Sequence, residues 1–218
     1  MAAGALADRR PWLALSLVFG ISYWLADHTR VPGLYEIAWK GGGVALLAAY
    51  AWSHHPTKDA HRIALVMAFG ALGDIVLEIS FTLGAVAFLA GHLEAISLYV
   101  RHRRATPSPS QKALAVVTLI GVPLISFELS GQFPVAFYAL GLGGMAAAAW
   151  LSDFPRYRVG LGAMMFAASD LLIFARMGPL AQSPLPHLLI WPLYYFGQVL
   201  ICTGVIGALK ARGEFRAE

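Results

Sequence analysis

A single cysteine, Cys202, occurs in 218 residues, so no disulfide can close within one chain and no cysteine metal site can be built. Charge is also scarce. Asp, Glu, Lys and Arg make up 13% of the chain, where a soluble domain carries roughly 25%. There is no polar stretch long enough for a soluble domain or a long linker, and Thr106 to Ser110 reads as a loop. The net charge of +4 comes from basic residues dispersed between apolar blocks rather than clustered with aromatics, which argues against a nucleic-acid partner.

What is abundant is apolar: 58% of the residues are hydrophobic. They fall in blocks of roughly 17 to 23, the length that crosses a hydrocarbon core as a helix. The pattern predicts an all-α, polytopic membrane bundle, a single domain over residues 1–218, with the lipid bilayer as its surroundings. About eight spans are expected: Trp12 to Ala26, Leu34 to Trp52, Ile63 to Ile79, Thr82 to Val100, Ala113 to Leu129, Phe133 to Leu151, Tyr157 to Ala175 and Leu188 to Leu209. The first block is read as a span and not a signal peptide, because Ser22, Tyr23, Trp24 and Asp27 stand where a small-residue cleavage site belongs. Pro123 and Pro192 fall inside spans, where a kink is tolerated.

Orientation follows from Lys and Arg in the short loops. Arg9, Arg10, Lys58, Arg62, Arg101, Arg103, Arg104, Lys112, Arg156, Arg158, Lys210, Arg212 and Arg216 fall on one side, and only Arg30 and Arg176 on the other. The positive-inside rule then predicts both termini in the cytoplasm of a bacterial inner membrane. Glycine-rich stretches such as Gly41-Gly42-Gly43, Gly141 to Gly144 and Gly160 to Ala163 are read as close helix packing, not as phosphate loops.

An ionisable residue at the centre of a membrane helix costs about 2.5 to 3.5 kcal/mol on insertion scales, so each one present needs a reason. Lys40, Asp74, Glu78, His92, Glu94 and Asp170 are such residues, accompanied by Tyr194, Tyr195 and Gln198. The predicted spans put Lys40, Asp74, Asp170 and Tyr194 about six or seven residues from the outer face, roughly 10 Å deep. His92 and Gln198 fall deeper. A shared depth points to an outward-opening polar site, although interhelical hydrogen bonds alone would also use such side chains. Phe69 to Asp74 and Phe166 to Asp170 form a faint internal echo, each ending on an aspartate after a small residue.

Several of these residues make up an ordered set. Gly73-Asp74-Ile75-Val76-Leu77, Phe81, Gly84, Phe88 and Gly91-His92 are followed by Gly162-Ala163-Met164-Met165-Phe166, Ser169-Asp170 and Tyr194-Tyr195-Phe196-Gly197-Gln198, with Lys40 in the second span. The set resembles the YhhN family of membrane lysoplasmalogenases over most of the chain. It departs from that pattern at Gly41, where proline is usual, and at Glu78, Glu94 and Ala95. The resemblance implies an eight-span enzyme that hydrolyses the vinyl ether of a lysophospholipid substrate to a fatty aldehyde and a glycerophospho-base.

That chemistry begins with protonation of an alkene carbon, giving an oxocarbenium ion that water captures. It needs an acid, an anion to stabilise the cation and a base for the water, as glycosidases obtain from two carboxyl groups. Asp74 and Asp170 are the catalytic candidates. Lys40, His92, Tyr194, Tyr195, Gln198 and Glu78 are read as substrate-binding or supporting residues, with Lys40 near one aspartate and the lipid phosphate near Arg30, Arg176 or Lys40. The reaction calls for no metal or other cofactor. The same residues also fit a small proton-coupled transporter or a non-catalytic membrane protein. Nothing in the pattern specifies an oligomeric state.

Overall fold

A computed structural model describes residues 10–26, 33–54 and 57–213. Arg9, Arg30 and Arg216, which entered the charge reading, and Asp27, which entered the signal-peptide reading, lie outside the described residues. Among the described residues there are eight helices and no strand: α1 (Arg10–Ala26), α2 (Gly33–Trp52), α3 (Lys58–Leu77), α4 (Phe81–Arg101), α5 (Pro109–Ser130), α6 (Phe133–Leu151), α7 (Leu161–Met177) and α8 (Leu185–Ala211). A π-helical turn, Arg156–Gly160, leads directly into α7. In lipid a spanning backbone must satisfy its own polar groups, and a helix does so within one segment.

Six of these helices are long and apolar enough to cross a membrane: α3 to α6, the continuous Arg156–Met177 segment and α8. The apolar part of α1, Pro11–Ala26, is shorter, and the 20-residue α2, outside that set, carries both Glu36 and Lys40. The protein is therefore an integral membrane protein. Large side chains such as Val117, Leu124, Leu83 and Phe137 are exposed on the helices, where lipid rather than protein covers them.

Local sequence fixes where the helices start and stop. Thr57 caps α3 by accepting a bond from the Ala60 amide. Ser108 and Gln111 form a capping box at the start of α5, with Pro109 in its first turn, and Gly131 ends that helix at a φ of 65°.

Chain contacts define two compact units, Met1–Gly91 with Val205–Glu218, and His92–Gly204. In the first, α2 packs on both α1 and α3, while α3 and the start of α4 form a hairpin held at glycines. A Cβ on Gly84 would meet the Leu77 backbone at 2.6 Å, one on Gly73 the Phe88 ring at 2.7 Å and one on Gly91 the Phe69 Cβ at 3.2 Å. These pairs descend an antiparallel register a turn at a time, so only a bare Cα allows the approach.

In the second unit α5 packs on α6 and α7, and α6 on α7. A Cβ on Gly143 would lie 2.8 Å from the Thr118 carbonyl oxygen, and one on Gly162 would lie 2.6 Å from that of Gly197. The loops after α4 and α6 meet in an isolated bridge between Arg103 and Ser152. Beside it the Arg104 amide donates to the Leu151 carbonyl (3.0 Å) and the Asp153 amide to the His102 carbonyl (2.8 Å).

Candidate active site

In the His92–Gly204 unit, three buried polar side chains from three helices form a chain. His92 of α4 and Asp170 of α7 do not touch; Tyr138, near the start of α6, joins them. Its hydroxyl donates to Asp170 Oδ2 at 2.6 Å and lies 3.1 Å from His92 Nε2. Because the tyrosine's one proton goes to the carboxylate, His92 Nε2 is the donor in the second bond, which fixes the imidazole tautomer. Proton uptake by Asp170 would reverse both bonds: Asp170 would donate to Tyr138, and Tyr138 to a His92 whose proton is on Nδ1. The arrangement can therefore pass a proton to or from the carboxyl.

Helix packing sets this geometry. On α7 the residue before the acid, Ser169, donates to the Ile190 carbonyl of α8 at 2.9 Å, while Gly162 meets Gly197 further along the same hairpin. Both pairings obey one antiparallel register. Asp170 is thereby held opposite the start of α8, and the aromatic side chains close the space around the chain. The His92 ring lies 5.0 Å from Phe166, and Phe166 lies 5.0 Å from Tyr194. Tyr195 stacks on Trp191 at 5.6 Å.

The hairpin also revises the expected depth of Tyr194. Its ring lies against Phe166, one turn further from the α7–α8 connection than Asp170. The two residues are thus about 6 Å apart along the helix axis rather than at one level. Gln198, a turn beyond Tyr194 on α8, is 1% exposed, and its Oε1 has no hydrogen-bond partner among the described residues. A buried amide oxygen in that state can accept a bond from water or substrate. Arg176 is exposed in the last turn of α7.

In the other unit, Asp74 is 2% exposed and sits in α3 beside Gly73, where the helix lies flat against Phe88. Lys40 of α2 makes its ion pair with Glu78, the residue that ends α3, at 2.5 Å. The sequence reading had placed Lys40 near an aspartate. At Gly41 a Cβ would meet the Ile75 side chain at 2.5 Å and the Ala71 carbonyl oxygen at 3.4 Å, which puts the Lys40 backbone about level with Asp74. The lysine stem then runs a turn toward the end of α3 and delivers the charge to Glu78, as long cationic side chains do near helix ends. Glu94 of α4 is half-buried.

Sequence reasoning missed Tyr138. It stands between Phe137 and Ala139 in an apolar helix, and nothing in the spacing separates it from an ordinary membrane aromatic. The available signal was chemical: a tyrosine inside a span needs a partner for its hydroxyl, and unassigned acids and a histidine were at hand.

A family model described as the YhhN family matches residues 35–205. Two curated proteins named lysoplasmalogenase, from Mycobacterium bovis and Mycobacterium tuberculosis, are each 30% identical to this chain over 184 residues, covering 78% of it and 70% of their own length. No solved structure matches.

Proposed function

The chain belongs to the YhhN family, and from that premise we propose that it is a membrane lysoplasmalogenase, hydrolysing the vinyl ether of an alkenyl lysophospholipid by general acid–base catalysis on carboxyl groups. The observation that carries the reading is the Asp170–Tyr138–His92 chain, which gives a buried carboxyl a route for its proton. The printed names of the mycobacterial relatives support the choice of reaction.

In the reaction Asp170 gives its proton to the alkene carbon next to the ether carbon, and the electron pair of the double bond forms the new C–H bond. The resulting oxocarbenium ion is captured at the ether carbon by water, which loses a proton to a carboxylate. The hemiacetal then collapses: its hydroxyl gives up a proton as the carbonyl forms, the bond to the glycerol oxygen breaks, that oxygen takes a proton, and an aldehyde and a glycerophospho-base leave. Asp74 is assigned as the second carboxylate, which stabilises the cation and takes the proton from water. Tyr138 and His92 reload Asp170, and Tyr194, Tyr195 and Gln198 orient the ether oxygen or the water.

The topology assigned with this function is eight spans with both termini in the cytoplasm of a bacterial inner membrane. The Arg103–Ser152 bridge supports it, because two of the arginine-bearing loops meet there on one side. The test is aldehyde release from an alkenyl lysophospholipid by purified protein in detergent. Transport across a sealed membrane cannot contribute to that signal, and folded protein that releases no aldehyde would sink the reading.

A further inference from the structure

The Lys40–Glu78 pair is not used by the steps above. Its members are unequally placed: the Lys40 side chain is 14% exposed and that of Glu78 43%. The pair lies where α3 ends and within the second turn of α2, at a helix end rather than in mid-span. The residues beside it, Leu34 and Tyr35 on α2 and Ile79, Phe81 and Leu83 after Glu78, are large, apolar and exposed. A charged pair with an open carboxylate is thus fringed by a surface suited to lipid.

We propose that Lys40 and Glu78 form the subsite for a zwitterionic lysophospholipid headgroup, Lys40 taking the phosphate and Glu78 the ethanolamine or choline nitrogen. The inference rests on the lysophospholipid substrate proposed above. Phosphate and nitrogen in such a headgroup are joined by two carbons and carry opposite charges, as the two side chains do. When the headgroup opens the pair, each side chain exchanges one opposite charge for another. No charge is left unpaired in a medium where an unpaired charge is costly. A lipid ending in bare phosphate offers Lys40 a partner but sets its own negative charge against Glu78, which is discrimination by repulsion. A pair that served only to neutralise Lys40 would not distinguish the two headgroups.

The experiment compares three uncleavable 1-O-alkyl lysophospholipids, with phosphoethanolamine, phosphocholine and bare phosphate headgroups, for binding to the purified full chain in detergent. Aldehyde release from the matching alkenyl lipids is measured in parallel. Wild-type protein is expected to favour the zwitterions. Glu78→Gln should reduce the zwitterion-to-phosphate ratio on the order of tenfold, Glu78→Asp should keep most of it, and Lys40→Met should weaken all three lipids together. If Glu78→Gln does not fold, Glu78→Lys serves in its place and should prefer bare phosphate. A wild type without preference, or a ratio untouched by Glu78→Gln or Glu78→Lys, overturns the inference while aldehyde release leaves the proposed reaction standing. Absence of aldehyde overturns the reaction, and the alkyl-lipid ratios still decide the headgroup subsite.

Discussion

The Tyr138 hydroxyl and Asp170 Oδ2 are 2.6 Å apart, and the same hydroxyl is within 3.1 Å of His92 Nε2. One phenol therefore links a carboxyl on one helix to an imidazole on another. Tyr138→Phe keeps the ring and its edge contact with Phe174 at 6.1 Å while removing both bonds. Turnover should fall by roughly 10- to 100-fold, the range of a lost proton-transfer partner. Stability should fall by about 1 to 3 kcal/mol, since buried polar groups are left unsatisfied. Aldehyde release and a thermal melt in detergent measure the two effects separately.

Asp170→Asn and Asp74→Asn preserve shape while removing the titrating group. Each should lower turnover by a factor on the order of 100 or more, and the double mutant should be little worse than the worse single one if the two work as a unit. Near-normal aldehyde release from both folded single mutants would remove the aspartates from the mechanism and leave Glu78 and His92 as the next candidates.

Glycines at helix crossings should behave differently from glycines in open positions. A Cβ on Gly162 would lie 2.6 Å from a backbone oxygen of α8, whereas one on Gly121, inside α5, meets nothing within 4 Å. Gly162→Ala should cost about 1 to 3 kcal/mol by overpacking and disturb the α7–α8 hairpin that aims Asp170. Gly121→Ala should be neutral or slightly stabilising. Melting temperatures of the two purified variants, with aldehyde release, check the contrast; equal melting points would contradict it.

Reporter fusions test the assigned topology. Fusions at Gly131 and Ala181 should report the outer face, while fusions at Pro107 and at the C-terminus should report the cytoplasm. Finding Pro107 and the C-terminus on opposite faces would defeat the eight-span assignment.

Much of the fold was legible in the sequence because a membrane span is a matter of length and apolarity. The expected Phe133 to Leu151 span coincides with α6, and the others agree with their helices to within a few residues. The largest misses, at the starts of α3 and α5, are polar turns, the second led by Pro109, that hydropathy places outside the lipid although the backbone is already helical. The π-helical turn before α7 left no mark in the pattern. Gly73, Gly84 and Gly91 entered the sequence reading only as members of the family-like set, and the structure supplies the neighbours whose approach they admit. Pairings were less legible. Lys40 had several acids within reach, and the choice of Glu78 depends on the direction of its stem, which spacing does not encode. Tyr138 was hidden because burial, and not residue type, turns a membrane tyrosine into a link between two ionisable groups.

Protonation at carbon is the central claim, and the fate of a solvent deuteron tests it most directly. Purified protein in detergent is given an alkenyl lysophospholipid in heavy water, and the aldehyde is trapped as it forms and examined by mass spectrometry. The account predicts slower release than in light water and one deuterium on the carbon next to the carbonyl, with both signals absent in Asp170→Asn because turnover is lost. An aldehyde without deuterium at that carbon would contradict it.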